Sequence, residues 1–292
     1  MRDTIANIFP TYLADRIINL GKICKKRLRK TSRQLKFGRT PFFLKIEDTA
    51  EAFFIQLDPI RNGCVDETIA VTGSWEKTIS NKIESLLSPG DIFIDIGANI
   101  GYHSLSAASL HNQRIEVHSF EPVSTLYSQF QNSVEKNNFQ NITLHKCALG
   151  KINGEMEINL RDENMGGSSL HNYEDLDIVA TSGKELIQIK TLDSVFNPDT
   201  QIKVIKIDVE GYEFEALSGG RKLLEKHTPA IIMEFSPLFY MKDYVGKAKE
   251  FTLFLEKIGY SFETLENKPI DLHKWLDSNK SDSQIDLVCR VK

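Results

Sequence analysis

The stretch FIDIGANIGYHSLSAAS, residues 93–109, constrains this chain more than any other. An apolar run ends in an acid, breaks into a glycine turn and continues as a helix. A strand–helix unit of a parallel sheet begins this way. The pattern then recurs. DIFIDIG is the first strand, and a helix follows from about Gly101. RIEVHSFE is the second strand, with a helix from about Ser124 to Asn137. NITLHKCAL is the third. After the short strands EMEINL and LIQIKTL come KVIKIDVE, the helix EFEALSGGRKLLEKH, the strand AIIMEFS and a helix from Val245 to Ile258. SFETL and QIDLVCRV read as late strands. Such alternation predicts an α/β fold: a doubly wound, mostly parallel sheet with helices on both faces.

Ligands in such sheets bind beyond the carboxyl ends of the strands. Asp95 and Gly97 end the first strand, Glu121 the second, and Asp208 and Glu210 the fourth. Glu234 lies near the end of the fifth. Gly97 suits the tight bend, and Gly101 a close approach at the helix start. A dinucleotide fingerprint needs two more glycines, where this chain has Asn99 and Tyr102. Asn tolerates a left-handed backbone, so the turn survives. Its side chain stands where a pyrophosphate would press close. An acid at Glu121 can accept hydrogen bonds from both hydroxyls of a ribose. A ribose without a diphosphate fits S-adenosylmethionine, with Asp95 near the cationic end. The alternative is that both acids serve only as caps or loop ion pairs.

Composition narrows the class. With 292 residues, 41% hydrophobic and 26% charged, the chain has the makings of a globular protein with a substantial core. A formal net charge of -4 argues against a dedicated nucleic-acid binder. Cys24, Cys64, Cys147 and Cys289 lie far apart, with no CxxC pair, so reduced thiols in a cytoplasmic protein are expected. Asp3, Asp15 and Arg16 interrupt the first twenty residues, which do not read as a signal peptide. No stretch reaches the roughly 18 apolar residues of a membrane span.

Three parts are expected: a basic segment over 1–40, a small β-rich part over 41–72, and the main domain over 73–292. Residues 22–39 carry nine Lys or Arg and no acid. A stretch like this suits peripheral contact with an anionic membrane or a phosphorylated glycan carrier; a solvated tail would have the same composition. Oligomeric state is left open.

The motifs FIDIGANIGYHSL, SFEP, CALG, TLDS, IKIDVEGYE and IIMEFSP, in this order and spacing, resemble the FkbM-type family of class I S-adenosylmethionine-dependent methyltransferases. The resemblance covers roughly residues 70–265, and DIGANIG together with KIDVEGYE is its specific part. It implies a Rossmann-like, seven-stranded sheet with an antiparallel last strand. The activity implied is O-methyl transfer to a hydroxyl, often on a sugar, glycolipid, polyketide or other natural product. By position, Asp95, Gly97, Ala98, Asn99 and Gly101 would line the methionine part of the cofactor. Glu121, with Pro122 beside it, would hold the ribose. Cys147 and Ala148 would lie near the adenine, unless Cys147 is plain core.

Methyl transfer from a sulfonium is a displacement in which the protein positions the acceptor and removes its proton. Alternation along the strand places Asp208 and Glu210 on one side. Asp208 is the first candidate for the base. Glu210 and Glu234 would bind acceptor hydroxyls or support it. His103 opens the first helix, where the dipole disfavours its charged form, and is a further candidate base; a packing role is the alternative. Asp208 and Glu234 could also hold a divalent cation. That reading is not favoured, because no His joins them, and no metal ligand is assigned. NMGGSSL, residues 164–170, would close over the acceptor or be a surface turn. Two other functions remain open. An NAD-dependent sugar oxidoreductase or epimerase is opposed by Asn99 and Tyr102 and by the lack of a Tyr-x-x-x-Lys pair. An inactive scaffold in glycan assembly is opposed by the retained acids.

Overall fold

The computed structural model describes residues 32, 35–38, 40–60, 63–161, 168, 170, 183–237, 244–278 and 284–291. Nearly all of the basic segment 1–40, and most of NMGGSSL, lie outside the described residues.

A hairpin comes first, β1 (Phe42–Ile46) and β2 (Phe53–Leu57), followed by α1 (Cys64–Thr72) and α2 (Lys77–Leu86). The central units are β3 (Ile92–Ile96), α3 (Tyr102–Gln113), β4 (Glu116–Phe120), α4 (Ser124–Asn137) and β5 (Ile142–His145). Next are β6 (Ala148–Leu149), β7 (Gly154–Leu160), β8 (Gly183–Lys190) and the short α5 (Leu192–Val195). The last part holds β9 (Ile202–Ile207), α6 (Glu213–Ser218), α7 (Arg221–His227), β10 (Ala230–Phe235), α8 (Tyr244–Ile258), β11 (Tyr260–Thr264), α9 (Leu272–Asp277) and β12 (Ile285–Val291).

Seven strands form the main sheet in the order β11-β12-β10-β9-β3-β4-β5. The neighbours from β10 to β5 are parallel, and β12 runs antiparallel between β10 and β11. The expected fold class and antiparallel last strand are therefore observed. Strand alternation sorts the core onto two faces. Phe93, Val117, Val204, Ile232 and Val288 pack on one face. Ile94, Ile205, Ile207, Ile231, Met233 and Leu287 pack on the other.

Several local expectations are corrected. Residues 64–72 form helix α1, not strand, so the part over 41–72 is a hairpin and a helix. The hairpin shares the first core through Ile46, Phe53, Ile55 and Leu57. Side chains of α4 satisfy its outward amides: Phe54 N–H donates to Asn137 Oδ1 and Gln56 N–H to Ser133 Oγ. The third strand splits in two. Its first half, β5, joins the main sheet, and β6 pairs instead with β8 in a three-stranded sheet. The helix expected over 213–227 divides at Gly219 and Gly220. Among the described residues, no helix is long and apolar enough to cross a membrane.

Candidate active site

The turn after β3 is held mainly by backbone. Gly97 N–H and Ala98 N–H both donate to Phe120 O at 3.0 Å, and Asp208 N–H donates to Ile96 O at 3.0 Å. Gly97 has φ +78°, and a Cβ there would stand 1.9 Å from the Asp208 carbonyl oxygen. Gly101, at φ +85°, would place a Cβ 2.2 Å from the Phe130 ring. Each glycine thus admits a neighbouring part of the protein itself. Asn99 is left-handed at φ 54°, the conformation expected for it.

Glu121 ties this turn to the next one. Its Oε2 accepts from Asn99 N–H and its Oε1 from Val123 N–H, each at 2.8 Å. Burial pushes its pKa up to about 8, against the downward pull of those two amides. Beside it opens a cleft. Gly97, Asn99, Glu121, Pro122 and Ala148 line it, with apolar walls from Phe120, Leu126 and Ile158. Ser168 and Leu170, the described residues of the loop at 164–170, also line it. Cys147 packs in the second core cluster and does not line the cleft.

Asp95 does not line it either. It is fully buried, its Oδ2 accepts from Ser104 Oγ at 2.6 Å, and its Oδ1 lies 3.6 Å from Lys206 Nζ. Asp95 and Lys206 are register partners on adjacent strands. Asp95 is therefore a buried counter-ion behind the turn rather than part of the cleft wall.

A second chamber lies across the turn, lined by Trp75, Glu76, Ala98, Tyr102, His103, Lys206, Glu210 and Glu234. Gly97, Asn99 and Asp208 border both cavities. Alternation explains the charged row here. Lys206 shares a face with Val204, and Asp208 follows two residues later; Glu234 follows Ile232 on the same face and faces Asp286 across β12. Strand β9 ends at Ile207, so alternation does not carry Glu210 to this side. A left-handed turn at φ 52° does. Only backbone held in place by its surroundings keeps such a residue there.

His103 is clamped rather than free. Its Nε2 lies 3.0 Å from Glu76 Oε2 and its Nδ1 3.1 Å from Ser80 Oγ. Both ring nitrogens are engaged by the protein, which argues against the expected role as base. Among the described residues, no group of three His, Cys, Asp or Glu side chains is arranged to hold a metal ion.

Glu76, Lys206 and Trp75 are site residues that the sequence reading passed over. Lys206 carried a usable signal, because a lysine within IKVIKI breaks a run that should be buried on both faces. Glu76 carried none, since an acid at a helix start is an ordinary partner for the dipole.

Burial pushes Glu210 up to about 7 and Glu234 up to about 9, and the neighbouring carboxylates push the same way. Their ordinary value is 4.5, so between roughly pH 5 and 9 the folded state holds more protons than the unfolded chain. Stability must then fall as pH rises through that window. Thermal melts of the ligand-free protein should show the midpoint dropping by several degrees from pH 6 to pH 9. Glu234→Gln should flatten the slope, and an unchanged slope would contradict the burial of this acid.

The sheet order and the turn after β3 define a class I methyltransferase-type α/β fold. Residues 95–262, more than half of the chain, match the family model described as the methyltransferase FkbM domain, and the chain belongs to that family. Among solved structures, the methyltransferase FkbM from Methylobacillus flagellatus KT is 18% identical, with a TM-score of 0.44. The match covers 70% of this chain and 45% of that one, so the chain spans less than half of that relative's length. A TehB-like SAM-dependent methyltransferase from Corynebacterium glutamicum is 12% identical over 77% of this chain and 94% of its own, with a TM-score of 0.41. Precorrin-6y C5,15-methyltransferase from Geobacter metallireducens is 18% identical over 78% and 88%, with a TM-score of 0.39. A comparison with curated proteins found no match.

Proposed function

We propose that this protein is an S-adenosylmethionine-dependent O-methyltransferase acting on a hydroxyl of a saccharide, glycolipid or related natural product. One observation carries the reading. Two cavities of different chemistry meet at Gly97, Asn99 and Asp208. The first is walled by apolar side chains and has a buried carboxyl group, Glu121, whose bonds to Asn99 N–H and Val123 N–H use one lone pair on each oxygen. That donor set fits a nucleoside with a free ribose, and Asn99 occupies the place a diphosphate would need. When bound, S-adenosylmethionine supplies a methyl group on a sulfonium, already activated for displacement.

The second cavity suits a hydroxylated acceptor. Its carboxyl groups hydrogen-bond hydroxyls, and Trp75 offers an apolar face. Asp208 stands at the junction and takes the hydroxyl proton. Burial raises its pKa, while Lys206 opposes the rise, so it is a better proton acceptor than an ordinary aspartate. Glu234 is protonated at neutral pH and can donate to a second acceptor oxygen. His103 orients Glu76.

Calorimetry with S-adenosylmethionine, S-adenosylhomocysteine and NAD tests this. Both sulfur ligands should bind and NAD should not; the reverse result overturns the reading. Glu121→Ala should weaken S-adenosylhomocysteine at least about tenfold, the loss expected when hydrogen bonds to a buried carboxyl group disappear. Unchanged affinity would remove Glu121 from the ribose site.

A further inference from the structure

Among the described residues, Lys206 is the one ammonium lining the second cavity, and its contacts are incomplete. It is 5% exposed, on the penultimate residue of β9, and lines the second cavity. Its Nζ lies 3.6 Å from Asp95 Oδ1 and 3.6 Å from Asp208 Oδ2. Both distances suit charge pairing, and both exceed a hydrogen bond. Among the described residues, Nζ makes no hydrogen bond, although an ammonium has three N–H donors. Nζ opens onto the cavity, so a partner for those donors can come from there. The group does not escape by losing its proton. Burial alone would lower its pKa, but Asp95, Asp208, Glu76 and Glu234 outweigh that and hold it charged. Asp95 is fully buried and engaged with Ser104, so it cannot swing out to meet it.

We propose that Lys206 is a catalytic residue of the acceptor site, whose ammonium donates a hydrogen bond to the acceptor hydroxyl oxygen beside Asp208. The inference rests on the methyltransferase reading above. As the acceptor O–H bond breaks, its proton passes to the Asp208 carboxylate. The oxygen forms a bond to the methyl carbon of a sulfonium donor, the carbon–sulfur bond breaks, and sulfur keeps that electron pair as a neutral thioether. Lys206 stays protonated throughout and offsets the negative charge that grows on oxygen. The base and the charge-stabilising donor thus lie two residues apart, one at the end of β9 and one just beyond it. The chamber also selects against anionic acceptors. Glu76 and Asp208 flank this ammonium, so a phosphate or carboxylate at the acceptor oxygen would meet like charge.

The test uses the chamber's own tryptophan. The chain has two, Trp75 in the cavity wall and Trp275 on α9. In a Trp275→Phe background saturated with S-adenosylhomocysteine, Trp75 fluorescence is titrated with glucose, rhamnose and N-acetylglucosamine. At least one sugar should change the signal of the parent protein. Lys206→Met should weaken that sugar at least tenfold, with S-adenosylhomocysteine affinity by calorimetry within twofold. Lys206→Arg keeps the charge and tests the fold-neutral case. Its planar fork reaches both carboxylates and uses its donors on them, so the sugar response should fall there too. If Lys206→Met does not fold, Lys206→Arg decides. Sugar affinity within twofold of the parent in the folded variants overturns the proposal. So does a parent protein, loaded with S-adenosylhomocysteine, that responds to none of the three sugars. Failure of the parent protein to bind S-adenosylhomocysteine at all would instead overturn the methyltransferase reading.

Discussion

Asp208→Asn is expected to lower methyl-transfer turnover by about 10²–10⁴-fold, the usual contribution of a positioned general base. The substitution keeps the size of the side chain and one acceptor oxygen, but removes the site where the proton goes. Affinity for S-adenosylhomocysteine should stay within a few-fold, because the first cleft is formed mainly by the turn, Glu121 and apolar walls. Stability should hold or rise above neutral pH. Asp208 sits among Glu76, Glu210 and Glu234, and its pKa is raised by burial, so its charge costs the folded state. Loss of turnover together with an unchanged or higher melting temperature separates a chemical role from misfolding. Turnover is read by methyl transfer to any acceptor that the parent protein accepts, alongside a melt at pH 8. Full turnover in the variant would remove Asp208 as the base.

The second large effect is on the fold. Gly97→Ala should lower stability by about 4 kcal/mol or more, placing it with the severe backbone substitutions. That corresponds to a melting temperature lower by about 10 °C for a domain of this size. Two costs combine. A left-handed backbone disfavours alanine by about 1–2 kcal/mol. The new Cβ would also meet the Asp208 carbonyl oxygen at 1.9 Å, next to the point where Asp208 N–H anchors the chain to Ile96 O. Moving it pulls β9 from β3 at the point where both cavities meet, so S-adenosylhomocysteine binding should be lost as well. Gly90→Ala is the control. Gly90 is also left-handed, at φ +92°, but a Cβ there meets nothing within 4 Å. It should show the conformational cost alone. Equal melting temperatures for the two variants would mean that the strand crossing yields more easily than the geometry implies.

Much of the framework was legible. Alternation of apolar strands and helices led to the parallel sheet, and the acids at strand ends led to its carboxyl edge. The left-handed Asn99 followed from its residue type in a turn that needed a positive φ. Other features were hidden for identifiable reasons. CVDETIAVT reads as a strand because its β-branched residues favour one, yet it is helix α1, and its packing on the hairpin decides. Glu210 was placed by extending a strand that had already ended. His103 was weighed against its own helix dipole, whereas the groups that hold it, Glu76 and Ser80, belong to another helix. Asp95 was expected at the cofactor because it ends a strand. Its partners, Ser104 and Lys206, come from the next helix and the neighbouring strand.

The sequence by itself determined the fold class, the turn after β3 and the set of carboxylates at its edge. These depend on periodicity and on local backbone preference, which short windows of residues carry. Only the tertiary structure decided which charges meet. Asp95 faces Lys206 because β9 lies beside β3 in one register, and Glu234 faces Asp286 because β12 inserts beside β10. Strand neighbours and register arise from long-range packing of the whole sheet. Shifting the register by one residue would turn each charge to the opposite face. The same pairing leaves Lys206 charged and without a hydrogen bond to the described residues, in the wall of the second cavity.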